Sequence, residues 1–156
     1  MPELRVGAKA PDFTLPTGDG STISLKDMKG KKVVLYFYPK DDTSGCTKEA
    51  CSFRDNIKVL EKKGTVVIGV STDSPASHSK FAEKYKLPFT LVSDEKKELV
   101  KKYGVWKEKN MYGRKYMGTE RTTFVIDGDG TIAHIFTKVK VDGHVEELLG
   151  LIGKGS

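Results

Sequence analysis

Two cysteines, Cys46 and Cys51, are the only thiols in the chain and stand five positions apart. They belong to the stretch Tyr38-Pro39-Lys40-Asp41-Asp42-Thr43-Ser44-Gly45-Cys46-Thr47-Lys48-Glu49-Ala50-Cys51. Before it runs a continuously apolar segment, Val33 to Tyr38, the mark of a strand covered on both faces. After it comes a helical pattern. Where such strands end and helices begin is where open α/β sheets bind their ligands. A sulfur at a helix start is favoured as thiolate by the unpaired N–H groups and the macrodipole. A thiolate is the species that attacks a peroxide oxygen, leaving a sulfenic acid.

The spacing separates the two sulfurs. Ala50, Phe53, Ile57 and Leu60 follow Cys46 at steps of four, three, four and three, so Cys46 shares the core-facing stripe. Cys51 lies about 140° further round the helix axis. Five residues of ideal helix put the two Cα atoms roughly 8.7 Å apart, whereas a disulfide needs less than about 7 Å. If the pair is redox-active, the first turns of the helix must therefore unwind in each cycle, with Gly45 placed as a hinge. That predicts a folded reduced form and a locally unfolded oxidised one. By residue type alone a second reading stays open, in which both cysteines are small hydrophobes of the core.

The elements that position this stretch follow from periodicity. Val66 to Ser71 reads as a second buried strand, with one helix from Thr47 to Lys62 between it and the first. Asp73-Ser74-Pro75 opens a helix to about Tyr85, with Ser74 as its cap and Pro75 in its first turn. A strand near Phe89 to Val92 leads to a helix from about Glu95 to Tyr103. Thr123 to Ile126 and Ile132 to Phe136 form a hairpin across Asp127-Gly128-Asp129-Gly130, and a last helix covers Asp142 to Ile152. That loop is no calcium site, because Lys138 stands where its twelfth, acidic ligand would be. Asp12 to Leu15 and Thr22 to Ser24 suggest an N-terminal hairpin. The order describes an α/β protein with a mixed sheet flanked by helices.

Composition excludes several classes. At 156 residues, with 37% hydrophobic and 31% charged, the chain suits one compact domain, residues 1–156. No apolar run approaches the roughly 20 residues of a membrane span. Met1-Pro2-Glu3-Leu4-Arg5 has no apolar leader, so a cytoplasmic location is expected. His78, His134 and His144 are scattered and unpaired along the sequence, which gives zinc no ligand set. The net charge of +6 comes from dispersed lysines. Their concentration from Lys101 to Lys115, interleaved with Trp106, Tyr112 and Tyr116, reads as solvated surface and not as a nucleic-acid module.

Pro39-x-x-x-Thr43-x-x-Cys46 resembles the active-site signature of the peroxiredoxins. The gap to Cys51 resembles the peroxiredoxin Q, or bacterioferritin comigratory protein, subfamily. So do Trp106-x-Glu108-Lys109, Tyr112-Gly113, Tyr116, Gly118, Arg121-x-Thr123-Phe124-x-Ile126-Asp127 and the N-terminal Gly7-x-x-Ala10-Pro11-Asp12-Phe13. The resemblance implies a thioredoxin-like fold and a thiol peroxidase acting on hydrogen peroxide and organic hydroperoxides. It implies Cys46 as the peroxidatic and Cys51 as the resolving cysteine, joined as an intramolecular disulfide. By the same resemblance Thr43 bonds the thiolate or peroxide, Pro39 shields the sulfur and Arg121 faces it. Thr43 reads equally as a helix cap. Reduction by thioredoxin or a similar dithiol, a monomer, and no metal or organic cofactor are also implied. Ser44 stands where many relatives carry proline, which makes the loop before Cys46 less rigid. A general thiol–disulfide oxidoreductase is the competing enzyme reading, but such enzymes typically place two residues between their cysteines.

Overall fold

The computed structural model describes residues 4–154, so Met1–Glu3, part of the segment on which the expectation of no leader rests, lies outside the described residues. Five strands form the central sheet: β3 (Lys32–Phe37), β4 (Thr65–Ser71), β5 (Thr90–Ser93), β8 (Thr122–Ile126) and β9 (Ile132–Phe136). Their order is β5-β4-β3-β8-β9; β3, β4 and β5 pair in parallel, while β8 pairs antiparallel with both β3 and β9. The expected mixed sheet is therefore present. So is the N-terminal hairpin, β1 (Thr14–Pro16) against β2 (Thr22–Ser24).

The alternation of side chains along β3 divides the interior. Val33, Leu35 and Phe37 enter one apolar cluster with Leu99, Val100 and Tyr103 of the C-terminal half. Val34, Tyr36 and Tyr38 enter the other, with Cys46, Ala50 and Phe53 of α1 (Ser44–Asp55) and Leu60 of α2 (Ile57–Lys62). Phe81 of α3 (Pro75–Tyr85) and Val145 and Leu148 of α5 (His144–Lys154) complete that second cluster. Both faces of β3 are thus buried, as its unbroken apolar run requires. Among the described residues no helix is long and apolar enough to cross a membrane.

Three elements differ from the sequence expectation. The single helix Thr47–Lys62 is two, broken at Asn56, whose φ of −114° leaves helical geometry while its side-chain amide donates to the Ser52 carbonyl at 2.8 Å. The helix Glu95–Tyr103 shortens to α4 (Glu98–Lys102), because the Asp94 carboxylate accepts from the N–H groups of Leu99 and Val100 and Lys97 turns to φ +64°. Between α4 and β8 stands a ribbon that periodicity missed, β6 (Trp106–Met111) paired with β7 (Arg114–Thr119). Its turn puts Tyr112 and Gly113 at φ +54° and +81°, the two positive angles of a tight hairpin. The basic segment Lys101–Lys115 is therefore largely an exposed ribbon.

Candidate active site

Strand β3 delivers the chain into a loop, Tyr38–Thr43, and the loop delivers it into α1. The loop is fixed at both ends. The Tyr38 N–H donates to the Val70 carbonyl at 3.0 Å, and the Thr47 N–H donates to the Thr43 carbonyl at 2.8 Å. The helix begins three residues earlier than expected, at Ser44, so Cys46 sits inside its first turn. Cys46 is 1% exposed. Cys51, half-buried, lies further along the same unbroken helix, and both thiols are free.

Across the sheet, Arg121 at the entry to β8 points its guanidinium back at this turn. Nη2 donates to Cys46 Sγ at 3.2 Å and Nη1 donates to Glu49 Oε1 at 2.6 Å. A Cβ on Gly45 would stand 3.2 Å from Nη2, so a side chain there would press on the guanidinium. Glu49 is 1% exposed, and its second oxygen has no protein partner. Burial pushes its carboxyl up to about 7, while the charge and hydrogen bond of Arg121 pull the other way. For Arg121, burial opposes the charge, but Glu49 and Cys46 outweigh it and raise its pKa. The guanidinium thus stays cationic against the sulfur.

Lys109 of β6 brings a second, half-buried cation toward the site. Burial first and Arg121 second lower its pKa, and Cys46 acts in the opposite sense. Beneath the sulfur, Tyr36 stacks on Phe53 with centroids 4.7 Å apart. Burial, then Glu49 and Cys46, drive its phenol far up, so it is neutral.

The remaining named residues fall as follows. Pro39 is half-buried in the loop. Thr43 is exposed, and its hydroxyl donates to the Lys40 carbonyl at 3.0 Å. It makes no side-chain cap bond, so the reading of Thr43 as an ordinary cap is corrected: its proton serves the turn instead. His78 is not unpaired, as sequence separation suggested, but lies 2.7 Å from Asp41. Glu49 escaped the sequence reading because one acid in a lysine-rich helix start gives no signal of burial. Its place one turn after Cys46, on the core side, was the available clue.

A buried sulfur, helix-start N–H groups and a fixed cation form a site for negative charge. Such a site favours the thiolate and stabilises charge moving onto a departing oxygen.

Residues 6–135 match the model of the AhpC/TSA family. The chain is 58% identical over 147 residues to a putative peroxiredoxin Bcp of Coxiella burnetii, covering 94% of this chain and 97% of that one. It is 49% identical to peroxiredoxin Bcp of Bacillus subtilis, covering 94% and 93%. Among solved structures, peroxiredoxin Q of Xanthomonas campestris superposes with a TM-score of 0.90 at 38% identity, covering 97% of this chain and 96% of that one. The bacterioferritin comigratory protein of the same organism, studied for alkyl peroxide reduction in trapped intermediate and ligand complexes, gives 0.89, also at 38%, covering 96% of each chain.

Proposed function

Because the chain belongs to the AhpC/TSA family, in the branch of the Bcp and peroxiredoxin Q proteins, and is a thiol peroxidase of thioredoxin-like fold, we infer that Cys46 is its attacking sulfur and Cys51 its resolving one. The observation that carries this reading is the Arg121–Cys46 contact at 3.2 Å in the first turn of α1. The Cys46 thiolate attacks one peroxide oxygen; an S–O bond forms as the O–O bond breaks. The departing oxygen takes a proton and leaves as water or alcohol, its developing charge met by Arg121 and the helix-start N–H groups.

Thr43 supports the same step. With its hydroxyl proton committed to Lys40, its oxygen keeps lone pairs to accept from the hydroperoxide O–H. Pro39, half-buried within the loop, limits water at the sulfur. The Cys51 thiol then attacks the Cys46 sulfenic acid; an S–S bond forms and water leaves. That step requires the start of α1 to unwind, since the intact helix holds the Cα atoms roughly 8.7 Å apart. Thioredoxin or a similar dithiol restores both thiols.

Organic hydroperoxides are proposed as substrates beside hydrogen peroxide, by likeness to the Xanthomonas campestris protein. One catalytic unit spans residues 1–156 and acts as a monomer in the cytoplasm, with no metal or organic cofactor in its cycle. Mixing the reduced protein with hydrogen peroxide in stopped flow, then mapping its thiols, tests the assignment. Oxidation of Cys46 within the burst supports it; a Cys46→Ser protein that still turns over peroxide contradicts it.

A further inference from the structure

The loop that carries Pro39 and Thr43 is bolted to α3 by two successive aspartates, and nothing in the peroxidase cycle uses the bolt. Asp42, at φ +59°, bonds Lys84 at 2.8 Å and the Tyr85 hydroxyl at 2.7 Å on the surface. Asp41, 7% exposed, bonds inward. Its Oδ1 accepts from the Tyr38 hydroxyl at 2.6 Å, and its Oδ2 accepts from the Ser77 hydroxyl at 2.8 Å and faces His78 Nδ1 at 2.7 Å. Its own N–H donates to Asp73 Oδ2 at 2.8 Å, an oxygen that also accepts from Ser71. Asp41, Asp73 and His78 are close enough together to suggest a metal site. The hydrogen bonds already made by Asp41, Asp73 Oδ2 and both His78 nitrogens argue against that use.

The protons decide what the cluster is. His78 is wholly buried, and its other nitrogen, Nε2, lies 2.9 Å from the Val92 carbonyl on β5. A carbonyl only accepts, so Nε2 must carry a proton. The Nδ1–Oδ2 contact needs a second proton, and Asp41, already accepting from Tyr38 and Ser77, is the better home for the negative charge. Around the pair stand the Asp73 carboxylate, the Tyr38 phenol and the backbone of Gly18, where an added Cβ would come within 2.9 Å of His78 Cβ. The Asp42–Lys84 pair is outside it.

We propose that His78 is a positioning residue: a buried imidazolium, bridging Asp41 to the Val92 carbonyl, that holds the Pro39–Thr43 loop and so keeps the Cys46 turn of α1 folded for attack on peroxide. The proposal rests on Cys46 being the attacking sulfur. Asp41 is five residues before Cys46, so the bridge fixes the upstream boundary of the segment that must unwind for resolution. Loosening it favours the unwound form: attack on peroxide slows and disulfide formation accelerates.

Two experiments test this. In ¹⁵N-histidine-labelled reduced protein at neutral pH, the buried His78 ring is expected to show two slowly exchanging N–H protons; a single protonated ring nitrogen overturns the bridge. In stopped flow, Asp41→Asn and His78→Leu are each expected to lower the Cys46 oxidation rate about 10-fold and to raise the subsequent disulfide rate several-fold. Asp41→Asn keeps the side chain's shape should His78→Leu not fold. A wild-type protein that ignores peroxide sinks the peroxidase reading and the positioning role with it, leaving the ring-proton signature to stand or fall alone. Wild-type reactivity with both rates unchanged in a folded variant sinks the positioning role only.

Discussion

The guanidinium of Arg121 is shared between Cys46 Sγ at 3.2 Å and Glu49 Oε1 at 2.6 Å, so the side chain that faces the sulfur is aimed by a carboxylate one turn further along the same helix. A planar donor fork can serve both at once; a lysine ammonium is a point charge and cannot hold that geometry. Arg121→Gln is expected to slow Cys46 oxidation about 100-fold, the scale of losing one preorganised charge donor. Arg121→Lys should recover only part of it. Single-turnover stopped flow with hydrogen peroxide measures both.

Glu49 makes stability depend on pH in a definite direction. In the folded chain its carboxyl is pushed up to about 7 by burial, from an ordinary value of 4.5. Between those values the folded state binds more protons than the unfolded one, so stability is greatest at the acid end and falls as pH rises toward 7. The loss is on the order of 3 kcal/mol. Glu49→Gln should flatten this part of the curve, read as Tm across the interval. The same variant should slow peroxide attack by about 10-fold, because Arg121 is then held by a neutral acceptor in place of a charged one.

Ser44 is the first residue of α1, and Thr43 before it has an extended backbone, φ −87° and ψ 158°. That is the conformation a following proline demands, and the first helical position is where proline's missing N–H costs nothing. Ser44→Pro is therefore expected to stabilise the reduced form by roughly 0.5 kcal/mol and to slow disulfide formation, with peroxide attack unchanged. Thermal melts and the second phase of the stopped-flow trace check the two halves.

Cys51→Ser should retain the first oxidation of Cys46 at the wild-type rate and lose turnover with a dithiol reductant. Mass spectrometry after one equivalent of peroxide is expected to find a sulfenic acid on Cys46 in place of the disulfide.

The sheet, its helices and the placing of Cys46 at a helix start were legible because burial on both faces of β3 and the 3.6-residue stripe from Cys46 to Leu60 leave strong patterns. The ribbon β6–β7 was not, since both its faces are largely solvated and the two-residue alternation that marks a half-buried strand is absent. The break at Asn56 depends on one side-chain amide reaching back to Ser52, which periodicity does not register. Within the site, Arg121 was named only through family likeness. Glu49, Asp41 and His78 act through contacts 32 to 72 positions distant or through burial, neither of which a linear reading exposes.

Unwinding of α1 is the claim on which the cycle depends, and amide hydrogen exchange measures it directly. The reduced protein should protect the amides of residues 47–55, and the peroxide-oxidised protein, with Cys46 and Cys51 mapped as a disulfide, should lose that protection in the first turns while β3 and β4 keep theirs. Equal protection of this segment in both forms, with the disulfide present, would contradict the account.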